Sequence, residues 1–138
     1  MKFRRTALSL IWGAALGLAG VGCGGPARAE RRDKAEAAFD RLAQVPPERL
    51  AAGLNRRMTE VLQLSPEQQA SVEAINLKYA RQLHDLAASD ESLLGKARGL
   101  REQVDAKAAE LKGILTPEQF SRFEAMKEEL REAIERAR

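Results

Sequence analysis

Leu64-Ser65-Pro66-Glu67-Gln68 and, 51 residues later, Leu115-Thr116-Pro117-Glu118-Gln119 are one phrase written twice. Each copy is built to start a helix. Ser65 and Thr116 stand at the N-cap, where a side-chain hydroxyl accepts from a backbone N–H that the helix itself cannot satisfy. Gln68 and Gln119, at N3, reach back to the cap's own N–H and close a capping box. Pro66 and Pro117 occupy N1, where a missing N–H is harmless. Glu67 and Glu118 bring negative charge to the positive end of the helix dipole. Leu115 and Phe120 fit the two places of a hydrophobic staple, whereas Leu64 lacks that partner because Gln69 stands at N4.

Outward from the two phrases the chain reads as helix. After Ser65, the residues Val72, Ile75, Tyr79, Leu83 and Leu86 recur at three- and four-residue steps, one apolar face over four turns. Ser89-Asp90 offers a break and a new cap. Leu93, Ala97, Leu100, Val104, Ala108 and Leu111 then form the next stripe, and Gly113 is the expected C-cap. Phe120, Phe123, Leu130 and Ile134 mark a last helix from Pro117, with Lys127 interrupting the stripe and Met126 beside it. Each of these three helices has 20-odd residues, roughly 30–36 Å at 1.5 Å per residue. Upstream, Leu50, Leu54, Met58, Val61 and Leu62 predict a helix over Pro47–Gln63. A shorter one, Lys34–Gln44, carries Phe39 and Leu42 and ends at Pro46-Pro47. Nothing alternates with period two, so the fold class is all-α, long helices in a thin layer. Gly95 and Gly99, four apart, read as two weak points in their helix in preference to a close crossing.

The N-terminus reads as an export signal over residues 1–29. Lys2, Arg4 and Arg5 precede an uncharged, Leu- and Ala-rich stretch from Thr6 to Ala27, the layout of a secretory leader. Its six glycines from Gly13 to Gly25 favour a cleaved leader over a retained anchor. Two cleavage sites compete. Ala27-Arg28-Ala29 suits ordinary signal peptidase. Gly20-Val21-Gly22-Cys23 resembles a lipoprotein box, with Cys23 the lipidation candidate. Residues 30–46 are then a charged tether and short helix, and residues 47–138 the helical domain. Removing Lys2, Arg4, Arg5 and Arg28 from 23 basic residues leaves 19 against 20 acidic ones, a net charge of −1. A body so balanced lacks the electrostatic footprint of a nucleic-acid binder. Cys23 is the single cysteine, so no intramolecular disulfide can form and the fold rests on packing.

Paired L-[ST]-x-x-Q phrases in a small exported helical chain resemble the Spy/CpxP family of periplasmic proteins. The lead-in Arg57-Met58-Thr59-Glu60-Val61-Leu62-Gln63 strengthens the resemblance, which covers about residues 56–130. It implies a helical hairpin that dimerises into a thin curved cradle. The implied work is ATP-independent: holding unfolded envelope proteins, or tuning a sensor kinase. Arg56, Arg57 and Met58 are the candidate client-binding residues, since family cradles combine basic charge with apolar patches.

Catalysis has few candidates. His84 is the single histidine, Cys23 the single thiol, and no serine sits in a G-x-S-x-G setting. There is no glycine-rich phosphate loop, and the chain reads as a non-enzyme without a cofactor. His84 with Asp85 is the one local hint of a metal site, and zinc wants about four ligands. Three functions follow: a chaperone or stress modulator, a structural or adaptor lipoprotein with a fixed partner, and, with the least support, a periplasmic metal sensor. Membrane contact is expected only through the leader or a lipid at Cys23.

Overall fold

The computed structural model describes residues 25–136; Cys23 and the rest of residues 1–24 lie outside them, while residues 25–29, the end of the expected leader with its Ala27-Arg28-Ala29 site, are helical. Five helices follow in order: α1 (Gly25–Gln44), α2 (Pro47–Leu62), α3 (Pro66–Ala88), α4 (Leu93–Lys112) and α5 (Pro117–Arg136). No strand occurs among the described residues, so the fold is all-α.

Both repeated phrases begin helices. Ser65 Oγ accepts from Gln68 N at 3.2 Å, and Gln68 Oε1 accepts from Ser65 N at 3.0 Å. Thr116 and Gln119 repeat the arrangement at 3.2 and 3.0 Å. Leu115 and Phe120 lie in one apolar cluster, as a staple requires. In the first copy Gln69 replaces the staple with a bond from its Nε2 to Leu64 O.

α3 is the central helix. It runs antiparallel to α2, with Asn55 beside Asn76 and Glu48 beside Arg81. It runs antiparallel to α4, with Tyr79 beside Glu110 and Leu86 against Gly99. α1 lies on α3 and α4 near their shared turn, and α5 lies on α4 and α2 at the opposite end. The core accordingly falls into two clusters. At the phrase end, Met58, Leu62, Leu64, Val72, Leu111, Leu115, Phe123 and Met126 come together. At the other end, Phe39 and Leu42 of α1 cover Leu50, Ala51, Ala80 and Ala87.

Three local expectations are corrected. The segment 30–34, read as a tether, is helical and part of α1. Ion pairs Lys34–Glu30 and Arg32–Glu36 brace it at i,i+4 spacing, and Pro26 sits where a helix tolerates proline. The cap of α4 is Ser92, whose Oγ accepts from Gly95 N at 3.1 Å; Ser89 instead closes the end of α3, donating to Leu86 O. Gly113 is the C-cap of α4, as expected, with right-handed backbone at φ −77°. The left-handed residue is Gln63, with φ 54° and ψ 56°, and it is the one non-glycine at positive φ among the described residues. Finally, Gly99 is a close crossing: a Cβ there would lie 3.0 Å from both Leu86 methyls. A Cβ at Gly95 would meet the flexible carboxylate of Glu91 and, at 3.4 Å, Ser92 Oγ, but no other helix, so Gly95 is an ordinary weak point.

Lys127 interrupts the α5 stripe as its position predicts, yet its side chain is 12% exposed. It stays inside because Glu124, 3.0 Å away, and Asp105 of α4, 3.7 Å away, supply opposite charge. Met126 fills the apolar place beside it.

Candidate functional site

Each capping box leaves one group of its glutamine unused, the amide N–H₂. The fold brings the two unused groups together. Gln68 Nε2 donates to Gln119 Oε1 at 2.7 Å, and Gln119 Nε2 donates back to Gln68 Oε1 at 3.0 Å. The second hydrogen of each amide goes to a backbone carbonyl at the other phrase. Gln68 Nε2 donates to Ile114 O at 3.2 Å. Gln119 Nε2 donates to Leu62 O at 3.1 Å and Gln63 O at 3.4 Å. Residues 63 and 114, like 68 and 119, are 51 apart, so the two phrases meet about an approximate two-fold axis. Each amide thus accepts twice and donates at least twice, which satisfies its hydrogen-bonding capacity.

This explains what capping alone does not. A capping box accepts Glu or Gln at N3. A carboxylate could cap but could not donate to its counterpart, so the pairing demands glutamine in both copies. Leu64 and Leu115 are buried beneath the pair, where they join the phrase-end cluster. The sequence signal for the contact was present in two identical phrases with Gln at both N3 places, but spacing along the chain does not say that they meet.

Polar contacts join α2 to α3 and α3 to α4. Asn76 is 0% exposed. Its Nδ2 donates to Asn55 Oδ1 at 2.5 Å and faces Met58 Sδ at 3.5 Å, while its Oδ1 has no partner. Tyr79 donates to Glu110 Oε1 at 2.7 Å, and Lys78 reaches the same oxygen. Burial, and then the bond to Glu110, pushes the Tyr79 hydroxyl up to about 12. The Lys78 and Tyr79 hydrogen bonds lower the Glu110 carboxyl. Burial pulls the Lys107 ammonium down to about 8.

The candidate client-binding residues do not form one exposed patch. Arg56 is exposed and Arg57 is half-buried, its Nε enclosed without a partner. Met58 is 2% exposed and belongs to the core, so it does not stand on the surface beside Arg56. Its place on the α2 stripe with Leu50 and Leu62 turns it towards α3. Among the described residues Leu94, at 60%, is the large apolar side chain left exposed, while Leu54, Ile75, Leu83 and Leu86 of the stripes are half-buried. His84 Nδ1 lies 3.7 Å from Asp85 Oδ1, and among the described residues no three His, Cys, Asp or Glu side chains are grouped to hold a metal. No described helix is long and apolar enough to cross a membrane.

Comparison with curated proteins and with solved structures finds no match. One family profile does match, over residues 29–123, which take in most of α1, all of α2 to α4, and both repeated phrases. The chain therefore belongs to the family described as a domain of unknown function, DUF4890.

Proposed function

We propose that this protein is an exported, ATP-independent chaperone or envelope-stress modulator of the Spy/CpxP kind, acting on unfolded envelope proteins or on a sensor partner. The observation that carries the reading is the pair of L-[ST]-P-E-Q phrases, joined through Gln68 and Gln119 at one end of a small helical fold. The secretory layout of residues 1–29 supports export, and a lipid at Cys23 remains the alternative attachment. Homodimerisation belongs to the same proposal. The test mixes the exported chain, without nucleotide, with a chemically denatured client and follows light scattering. Slowed aggregation at near-stoichiometric ratios is expected, and no effect at tenfold excess rejects the reading.

A second reading, a structural adaptor with one fixed partner, draws on the closed apolar surface, since promiscuous binders usually present an adaptable apolar face. Pull-down from envelope extract separates the two: an adaptor yields one stoichiometric partner, and a chaperone yields many weak ones.

A further inference from the structure

A surface for unfolded segments must hold apolar area, and this fold keeps its apolar area covered. The cover at one end is α1. Ala35, Ala38, Phe39 and Leu42 follow the i, i+3, i+4, i+7 pattern of a helix laid in a groove. Beneath them lie Leu50, Ala51, Ala80 and Ala87, with Leu83, Leu93 and Leu100 packed around. A floor rich in alanine and walls of leucine make a trough that fits one helix or an aromatic ring.

The two outer helices are held by different forces. α5 is bolted by polar contacts: the Gln68–Gln119 pair, and Asp105 taking both Lys127 and Arg131. Residues 35–44 of α1 make no side-chain hydrogen bond or ion pair to another helix among the described residues. The polar neighbour at that junction is Lys96, whose Nζ sits 5.8 Å from the Phe39 ring while donating to Ala87 O. Apolar contact is non-directional, so a different apolar segment can replace it. The link to α2 is Val45 and Pro46, with Val45 packed against the same cluster and no side-chain bond at the α2 N-cap.

We propose that α1 is a strap over the acceptor groove for clients. The groove's other occupant is an apolar segment of an unfolded protein with an aromatic and a branched residue one turn apart, the pattern of Phe39 and Leu42 themselves. This rests on the chaperone reading above and adds where the client sits and what keeps it out.

The experiment loosens the strap with Phe39→Ala plus Leu42→Ala in the exported chain. Hydrogen exchange over α3 to α5 checks that the rest of the fold stands. Bis-ANS, an apolar dye, reads the groove without any client. Dye fluorescence should rise at least threefold, and the amount needed to halve client aggregation should fall at least twofold. As a second measurement, a synthetic peptide of residues 33–46 should bind the double variant and displace client from it, while the same peptide carrying both alanines should not. Unchanged dye fluorescence with an intact fold overturns the strap. Raised fluorescence without better holding, or no competition by the peptide, overturns the groove as the client site. If wild type holds no client but the double variant does, the strap stands in a stronger form. If neither does, client binding at the groove is overturned together with the chaperone reading.

Discussion

Replacing Gln119 by Ala tests whether the repeated phrase is two independent caps or one joint. The substitution removes two bonds to Gln68 and one to Leu62 O, all part-buried, and the capping bond to Thr116 N. Thr116 N is exposed and regains water, so its loss counts little. Three part-buried bonds at about 1 kcal/mol each put the loss near 3 kcal/mol. Gln68→Ala loses the same mutual pair, the bond to Ile114 O and the bond from Ser65 N, here part-buried, so four bonds and about 4 kcal/mol. Because the mutual pair is lost in either single variant, the double variant should fall short of the sum by about 2 kcal/mol. Urea unfolding followed by circular dichroism measures this, and at about 1.5 kcal/mol/M the single losses move the midpoint by about 2 to 3 M. Gln119→Glu sharpens the test. It keeps the capping acceptor but removes the donor and sets a carboxylate against Gln68 Oε1 and Leu62 O. It should cost nearly as much as Ala. A coupling under about 0.5 kcal/mol, or a Glu variant as stable as wild type, refutes the joint.

Lys107 and Tyr79 set opposite alkaline trends. Lys107 is held down to about 8 against roughly 10.4 in an unfolded chain, so its burial penalty is fully present below pH 8 and is relieved as pH rises towards 10.5. Tyr79, held up to about 12, contributes stability that is present below about pH 10 and lost as pH rises through 12. Stability should therefore climb from pH 8 to 10 and turn over above. Lys107→Met should flatten the climb and raise stability at pH 7; a wild-type urea midpoint that does not change between pH 8 and 10 contradicts this. Gln63→Gly should stabilise by about 1 kcal/mol by relieving the left-handed backbone at φ 54°, seen as a raised melting temperature. Gly95→Ala should gain about 1 kcal/mol from helix propensity, while Gly99→Ala should gain less or lose, because Leu86 must yield; equal gains at both sites argue against the close crossing.

Local chemistry alone determined much of this protein. The boundaries at Ser65-Pro66, Thr116-Pro117 and Pro46-Pro47 were legible because caps and prolines act within one turn of chain. The long helices were legible because their apolar residues recur with the helical period. Where the reading failed, the deciding contact came from elsewhere in the fold. Gly99 looked like a weak point until Leu86 of α3 was seen against it. Lys127 looked like a flaw in a stripe, but Asp105 of α4 lets it remain inside. Met58 follows Arg56 and Arg57 in sequence but also lies on the apolar stripe of its helix, and the packing of α2 on α3 decides for the core. The sharpest case is Gln68 with Gln119. The sequence determined that each caps a helix, since that bond spans three residues. Only the tertiary structure decided that they cap each other's hairpin turn, because an amide pair across 51 residues depends on where two hairpins bring their ends.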